Sequence, residues 1–147
     1  MVNSVNIARY FLHKDSTLTD KQLQKLVYYA YCWYIVKKNY RKNEINEKLF
    51  NETPEAWIHG PVFPELYKEM TYNRKNFIES KEYENIPLEI KKFLDTIFEV
   101  YGKYSGNELE VLTHNEMPWK KARNGLKYNI PSNAKLDDKD IYEYYSN

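Results

Sequence analysis

The chain has 147 residues, the size of one ordinary domain with room for a real core. Its 22 Lys and Arg against 21 Asp and Glu leave a formal charge of +1, which excludes a global basic field for nucleic acid and an acidic surplus of the disordered kind. Apolar residues make up 42% although mean hydropathy is -0.81, and fifteen tyrosines reconcile the two by supplying packing area while scoring as polar.

The opening "MVNSVNIARYF" lacks the basic patch and apolar run of a signal peptide. No window approaches the roughly 18 uncharged apolar residues of a membrane span. A cytoplasmic protein without a membrane partner is therefore expected. A single cysteine, Cys32, excludes an intramolecular disulfide and a multi-cysteine zinc site.

Only four glycines occur, which favours helices over a turn-rich β fold. The first helix is expected to open at Ser4, where Val5, Ala8, Phe11 and Leu12 share one face, and to stop between Lys14 and Thr17. Thr19 and Gln22 fit a capping box for a second helix from Asp20 to Lys37. Leu23, Leu26, Val27, Ala30 and Tyr34 follow at helical spacing, and the segment is apolar around most of its girth, so it is expected at the centre. Residues 39–55 are polar and irregular, anchored by Leu49 and Phe50.

Gly60 and Pro61 then break the chain, and Pro64 can open a short helix carrying Leu66, Tyr67 and Met70. Residues 71–85 show no period and read as a loop. Pro87 opens the clearest amphipathic helix, with Ile90, Phe93, Leu94, Ile97 and Tyr101 in one stripe and Gly102 at its end. Ser105 and Glu108 form a second capping box ahead of Leu109 and Leu112. "THNEMPWKKARNG" stops at Gly125, and a last helix with Ile141, Tyr144 and Tyr145 starts at Asp137. These elements predict a mainly α, single compact domain of six or seven helices, with room for a short two-stranded β element near residues 56–58.

The stretch "AWIHGPVFPELY", residues 56–67, raises the question of chemistry. A catalytic reading would pool His59, His114, Glu116 and Cys32, but Cys32 lies inside "LVYYAYCWYIV" with neither a base nor an electropositive setting at hand. A metal site from His59 and His114 lacks a third ligand, because Glu116 follows His114 at a spacing that misses one helical face. Phosphate-binding glycine runs are absent. Lys37, Lys38, Arg41 and Lys42 cluster, but at what reads as a solvated helix end, and no helix-turn-helix pattern accompanies them. The structural reading is stronger. Gly60 can take a positive φ, Pro61 restricts its predecessor, and Trp57 is expected to bury its ring beside the corner, leaving His59 as a polar tip. No catalytic residue, metal or cofactor is expected.

"LQKLVYYA" (Leu23 to Ala30), "EAWIHGPVFPELY" (Glu55 to Tyr67) and "LTHNEMPW" (Leu112 to Trp119), in that order, resemble the Panacea domain, the SocA-like antitoxin domain also met in phage-associated proteins. "IARYFL", "YGKYSGNEL" and the Ala122–Arg123 pair extend the resemblance over nearly the whole chain. It implies an antitoxin that binds and neutralises a separately encoded toxin, expected to be specified by a neighbouring gene. Alternatives are a protease adaptor that delivers the toxin for degradation and a DNA-binding regulator of a phage or mobile element. Many such proteins carry an added N-terminal segment, whereas this chain opens on the core, so autoregulation through such a segment is not expected. With exposed aromatic anchors as the currency of interfaces, the expected partner surface lies where the two Pro-Trp corners meet: Trp57, His59, Pro61, Tyr67, Thr113, His114 and Trp119.

Overall fold

The computed structural model describes residues 2–147. In chain order it contains α1 (Ser4–Lys14), α2 (Asp20–Lys38), β1 (Glu55–Trp57), β2 (Gly60–Val62), α3 (Pro64–Tyr72), α4 (Arg74–Glu79), a 3-10 turn (Glu82–Asn85), α5 (Leu88–Tyr101), α6 (Gly106–His114), α7 (Met117–Arg123) and α8 (Asp138–Tyr145). The mainly α expectation holds.

The caps fall where local chemistry puts them. Thr19 accepts from the Gln22 N–H while the Gln22 side chain accepts from the Thr19 N–H, and Ser105 and Glu108 repeat the exchange at α6. Asp137 caps α8 through the Lys139 N–H. α2 is the axis of the molecule: every residue from Leu23 to Cys32 is buried, and α1, α3, α5, α6, α8 and β2 all pack on it. A helix enclosed on all sides has no polar face to spare. This is why Tyr28, Tyr29 and Tyr31 lie inside, whereas Tyr40 and Tyr72 project into solvent. Leu49 and Phe50 anchor the irregular stretch as expected.

Residues 71–85 are not a loop. They hold the end of α3, α4 and the 3-10 turn, so that among the described residues eight α-helices stand where six or seven are expected. The reason is a long-range anchor. The Phe77 ring is fully buried, its carbonyl accepts from Arg9 Nε at 2.9 Å, and the Arg9 guanidinium lies 5.6 Å from the ring centre. A six-residue helix held by one apolar side chain leaves no periodicity to find.

β1 and β2 form an antiparallel hairpin in the register Glu55↔Val62, Ala56↔Pro61 and Trp57↔Gly60, turning at Ile58 and His59. The free side of β1 is covered by the segment before α8: Ala56 N–H donates to Ala134 O at 2.8 Å and Leu136 N–H to Pro54 O at 3.0 Å. Three of the four clustered basic residues are ion-paired, Lys38 with Glu89, Arg41 with Glu44 and Lys42 with Glu143. Among the described residues no helix is long and apolar enough to cross a membrane.

Candidate functional site

Two adjacent polar side chains of α2, Gln24 and Lys25, cover the outer edge of β2 and of the residue that follows it. The Gln24 amide binds both backbone groups of Phe63, accepting from its N–H at 2.9 Å and donating to its carbonyl at 3.2 Å. Lys25 reaches a carbonyl two residues earlier, donating from Nζ to Pro61 O at 3.1 Å. The strand edge is thereby satisfied by side chains rather than by another strand.

Gly60 sits directly above Lys25. Its φ is +108°, and a Cβ at this position would lie 2.7 Å from Lys25 Cε and 2.9 Å from Thr113 Oγ1. Only glycine tolerates both the conformation and the closeness. Thr113 in turn donates to the Glu110 carbonyl at 2.9 Å. Burial pushes the Lys25 ammonium down to about 7, with the Glu110 charge pulling the other way and Lys21 adding to the depression.

The second Pro-Trp corner closes on the first. Trp119 Nε1 donates to the Trp57 carbonyl at 2.9 Å, and the His114 ring stacks on Trp119 with centroids 3.9 Å apart. Arg123 lies 4.9 Å from the Trp119 ring centre and donates to Ala56 O at 3.0 Å and Lys127 O at 3.0 Å. It also bonds the carbonyls of Tyr128 and Ile130. One buried guanidinium thus ties the hairpin to the loop that follows α7, whose tight exit is made by Asn124 and Gly125 at positive φ. Burial lowers the pKa of His114, against the raising effects of Glu110 and the Ile58 backbone.

All seven expected residues therefore gather at the hairpin, but they divide into two groups. Pro61, Thr113 and Trp119 are buried and build the corner from within. His59 and Tyr67 are exposed, while Trp57 and His114 are half-buried. The expectation that Trp57 buries its ring is met in part: Trp119 is the enclosed indole, whereas Trp57 is only partly buried, its ring 5.0 Å from that of Tyr67 in an edge-on contact. The hairpin has only a two-residue turn, so the Trp57 side chain projects from it, while Trp119 arrives from α7 to fill the space behind.

Trp57, Ile58, His59 and Val62 form one wall of a groove of about 560 Å³, and Pro131, Ser132 and Asn133 form the other. His59 is an exposed tip, as expected, with Nδ1 at 3.2 Å from Glu110 Oε2. Burial acts to raise the Glu110 carboxyl, but bonds from Lys21 and His59 outweigh it and hold the group below its usual range. Glu116 turns away from the two histidines to a different pocket, and Cys32 is fully buried with its thiol pushed well up by burial. Gln24, Lys25, Glu110 and Arg123 are the residues that sequence reasoning missed. For Gln24 and Lys25 a signal existed: two polar residues inside a helix that is otherwise apolar at that level need buried partners.

Known proteins resemble this chain over the same corners. The family described as Antitoxin SocA-like, Panacea domain, matches residues 23–120. The protein Antitoxin SocA of Caulobacter vibrioides (strain NA1000 / CB15N) is 24% identical over 145 residues, an alignment that spans 89% of this chain and 73% of that protein. No solved structure matches.

Proposed function

Because the chain belongs to the Antitoxin SocA-like, Panacea domain family, we propose that it is an antitoxin that neutralises a separately encoded toxin by direct protein–protein contact, without catalysis. The observation that carries this reading is the locked hairpin. Lys25, Gln24, Trp119 and Arg123 satisfy its backbone from behind, so Trp57, His59 and Tyr67 are presented on a surface that needs little ordering when a partner arrives. Pre-organised aromatic anchors beside an apolar groove are the features that concentrate binding energy in protein interfaces.

The toxin is expected to be the product of the neighbouring gene, and it docks on the groove between the hairpin and residues 131–133. Co-expression of the two proteins tests this. The neighbour alone should arrest growth, and this chain should restore growth and co-purify with it, while Trp57→Ala combined with His59→Ala should weaken both effects. Rescue accompanied by disappearance of the neighbour protein would support a protease adaptor instead. A harmless neighbour that forms no complex would overturn the proposal.

A further inference from the structure

A second pocket, of about 450 Å³, lies where α2, α5 and α8 converge with the start of α7. Trp33, Tyr101, Tyr144 and Tyr145 line it together with Glu116. Its rings are held in place by one another. Tyr101 stacks on Tyr29 with centroids 4.0 Å apart and planes within 6°, and it accepts from Trp33 Nε1 at 2.8 Å. Trp33 lies 5.5 Å from Tyr145, which meets Tyr144 edge-on at 4.9 Å.

Among the described residues, Glu116 is the one carboxylate side chain that lines this pocket. Its Oε1 accepts from Tyr29 OH at 2.8 Å and from Tyr145 OH at 2.7 Å. Among the described residues no hydrogen bond reaches Oε2, and no lysine, arginine or histidine pairs with this carboxylate, although eleven other carboxylates do find cations and Glu52 and Glu55 are bound to neutral donors. Burial raises the Glu116 pKa, opposed only by the two hydroxyls. A half-buried carboxylate beside aromatic faces lacks its counter-charge, and the faces themselves attract cations through their quadrupoles.

We propose that this pocket receives the side chain of an arginine from a partner polypeptide. A guanidinium is flat, weakly hydrated and always charged, so it stacks on Trp33 and the tyrosines while its N–H fork reaches Oε2. An ammonium would lose more hydration and would not stack. The assignment holds wherever the toxin docks, since it concerns a surface separate from the hairpin groove.

The test follows the indole N–H signals of the three tryptophans by NMR as N-acetyl-arginine amide is added to the full chain. The Trp33 signal, identified by its loss in Trp33→Phe, should move saturably at millimolar ligand, while those of Trp57 and Trp119 stay in place. Glu116→Gln keeps an acceptor for the Tyr29 and Tyr145 hydroxyls and should weaken binding roughly tenfold. Should that variant fail to fold, Tyr144→Ala, at a partly exposed ring, should weaken binding in a chain of unchanged circular dichroism. A stationary Trp33 signal, or folded Glu116→Gln and Tyr144→Ala chains that bind as the parent does, would overturn the proposal. Choline binding more tightly than the arginine amide would overturn it in favour of a small quaternary ammonium ligand.

Discussion

Lys25 donates from Nζ to the carbonyl of Pro61 at 3.1 Å, from a position in the N-terminal half of α2 where its side chain is fully enclosed. A helix that packs on six other elements thus spends one of its buried positions on a cation that props up a turn. The ammonium has a single hydrogen-bond acceptor there, and Glu110 is the charge that opposes its desolvation. The cost of holding it charged makes stability depend on pH.

The folded-state value of Lys25 is about 7 against an ordinary 10.5, so between those limits the unfolded chain binds the proton that the folded chain has released. Stability from this group therefore rises with pH across that window, by up to about 1.4 kcal/mol per pH unit. Cys32 and the buried tyrosines, whose values are raised, act in the opposite sense at alkaline pH, so the comparison with Lys25→Met isolates the lysine. Urea unfolding at pH 6 and pH 9 should show the parent gaining on Lys25→Met as pH rises. Parallel pH profiles for the two chains would contradict this.

Gly60→Ala should cost about 2–4 kcal/mol, since it forces a side chain to positive φ and into Lys25 and Thr113. A thermal melt reads this directly. Gly125→Ala is the informative control, because it shares the positive φ but meets no neighbour within 4 Å, and it should cost less.

His59→Ala and Trp119→Phe separate the outward from the inward residues of the corner. His59 is 69% exposed at its side chain, so its removal should change stability by less than about 0.5 kcal/mol while weakening the proposed neutralisation of a toxin. Trp119→Phe leaves the Trp57 carbonyl without its donor and should cost about 1–3 kcal/mol. Denaturation midpoints for both, set beside the growth-rescue assay, check the division. A large loss of stability from His59→Ala would contradict it.

Phe77→Ala should destabilise the protein by about 3–5 kcal/mol, the usual cost of removing a fully enclosed phenylalanine. Hydrogen exchange provides a second reading, because the Phe77 amide bonds to Asn73 O at 2.9 Å and should be protected in the parent. Fast exchange across residues 74–79 would return this stretch to the loop that its sequence suggests.

Sequence alone determined where most helices begin and end, which helix is central and which family the motifs point to. Capping by Thr19, Ser105 and Asp137, the punctuation of Pro64 and Gly102, and the stripe from Ile90 to Tyr101 all act within a few residues, so they can be found by inspection. Tertiary structure alone decided what the polar residues inside that frame do. Gln24 meets Phe63 across 39 positions, Trp119 meets Trp57 across 62, Arg9 meets Phe77 across 68 and Glu116 meets Tyr29 across 87. Partners so distant are brought together by packing around α2, and a buried polar group is specified by its satisfied partner rather than by its neighbours in the chain.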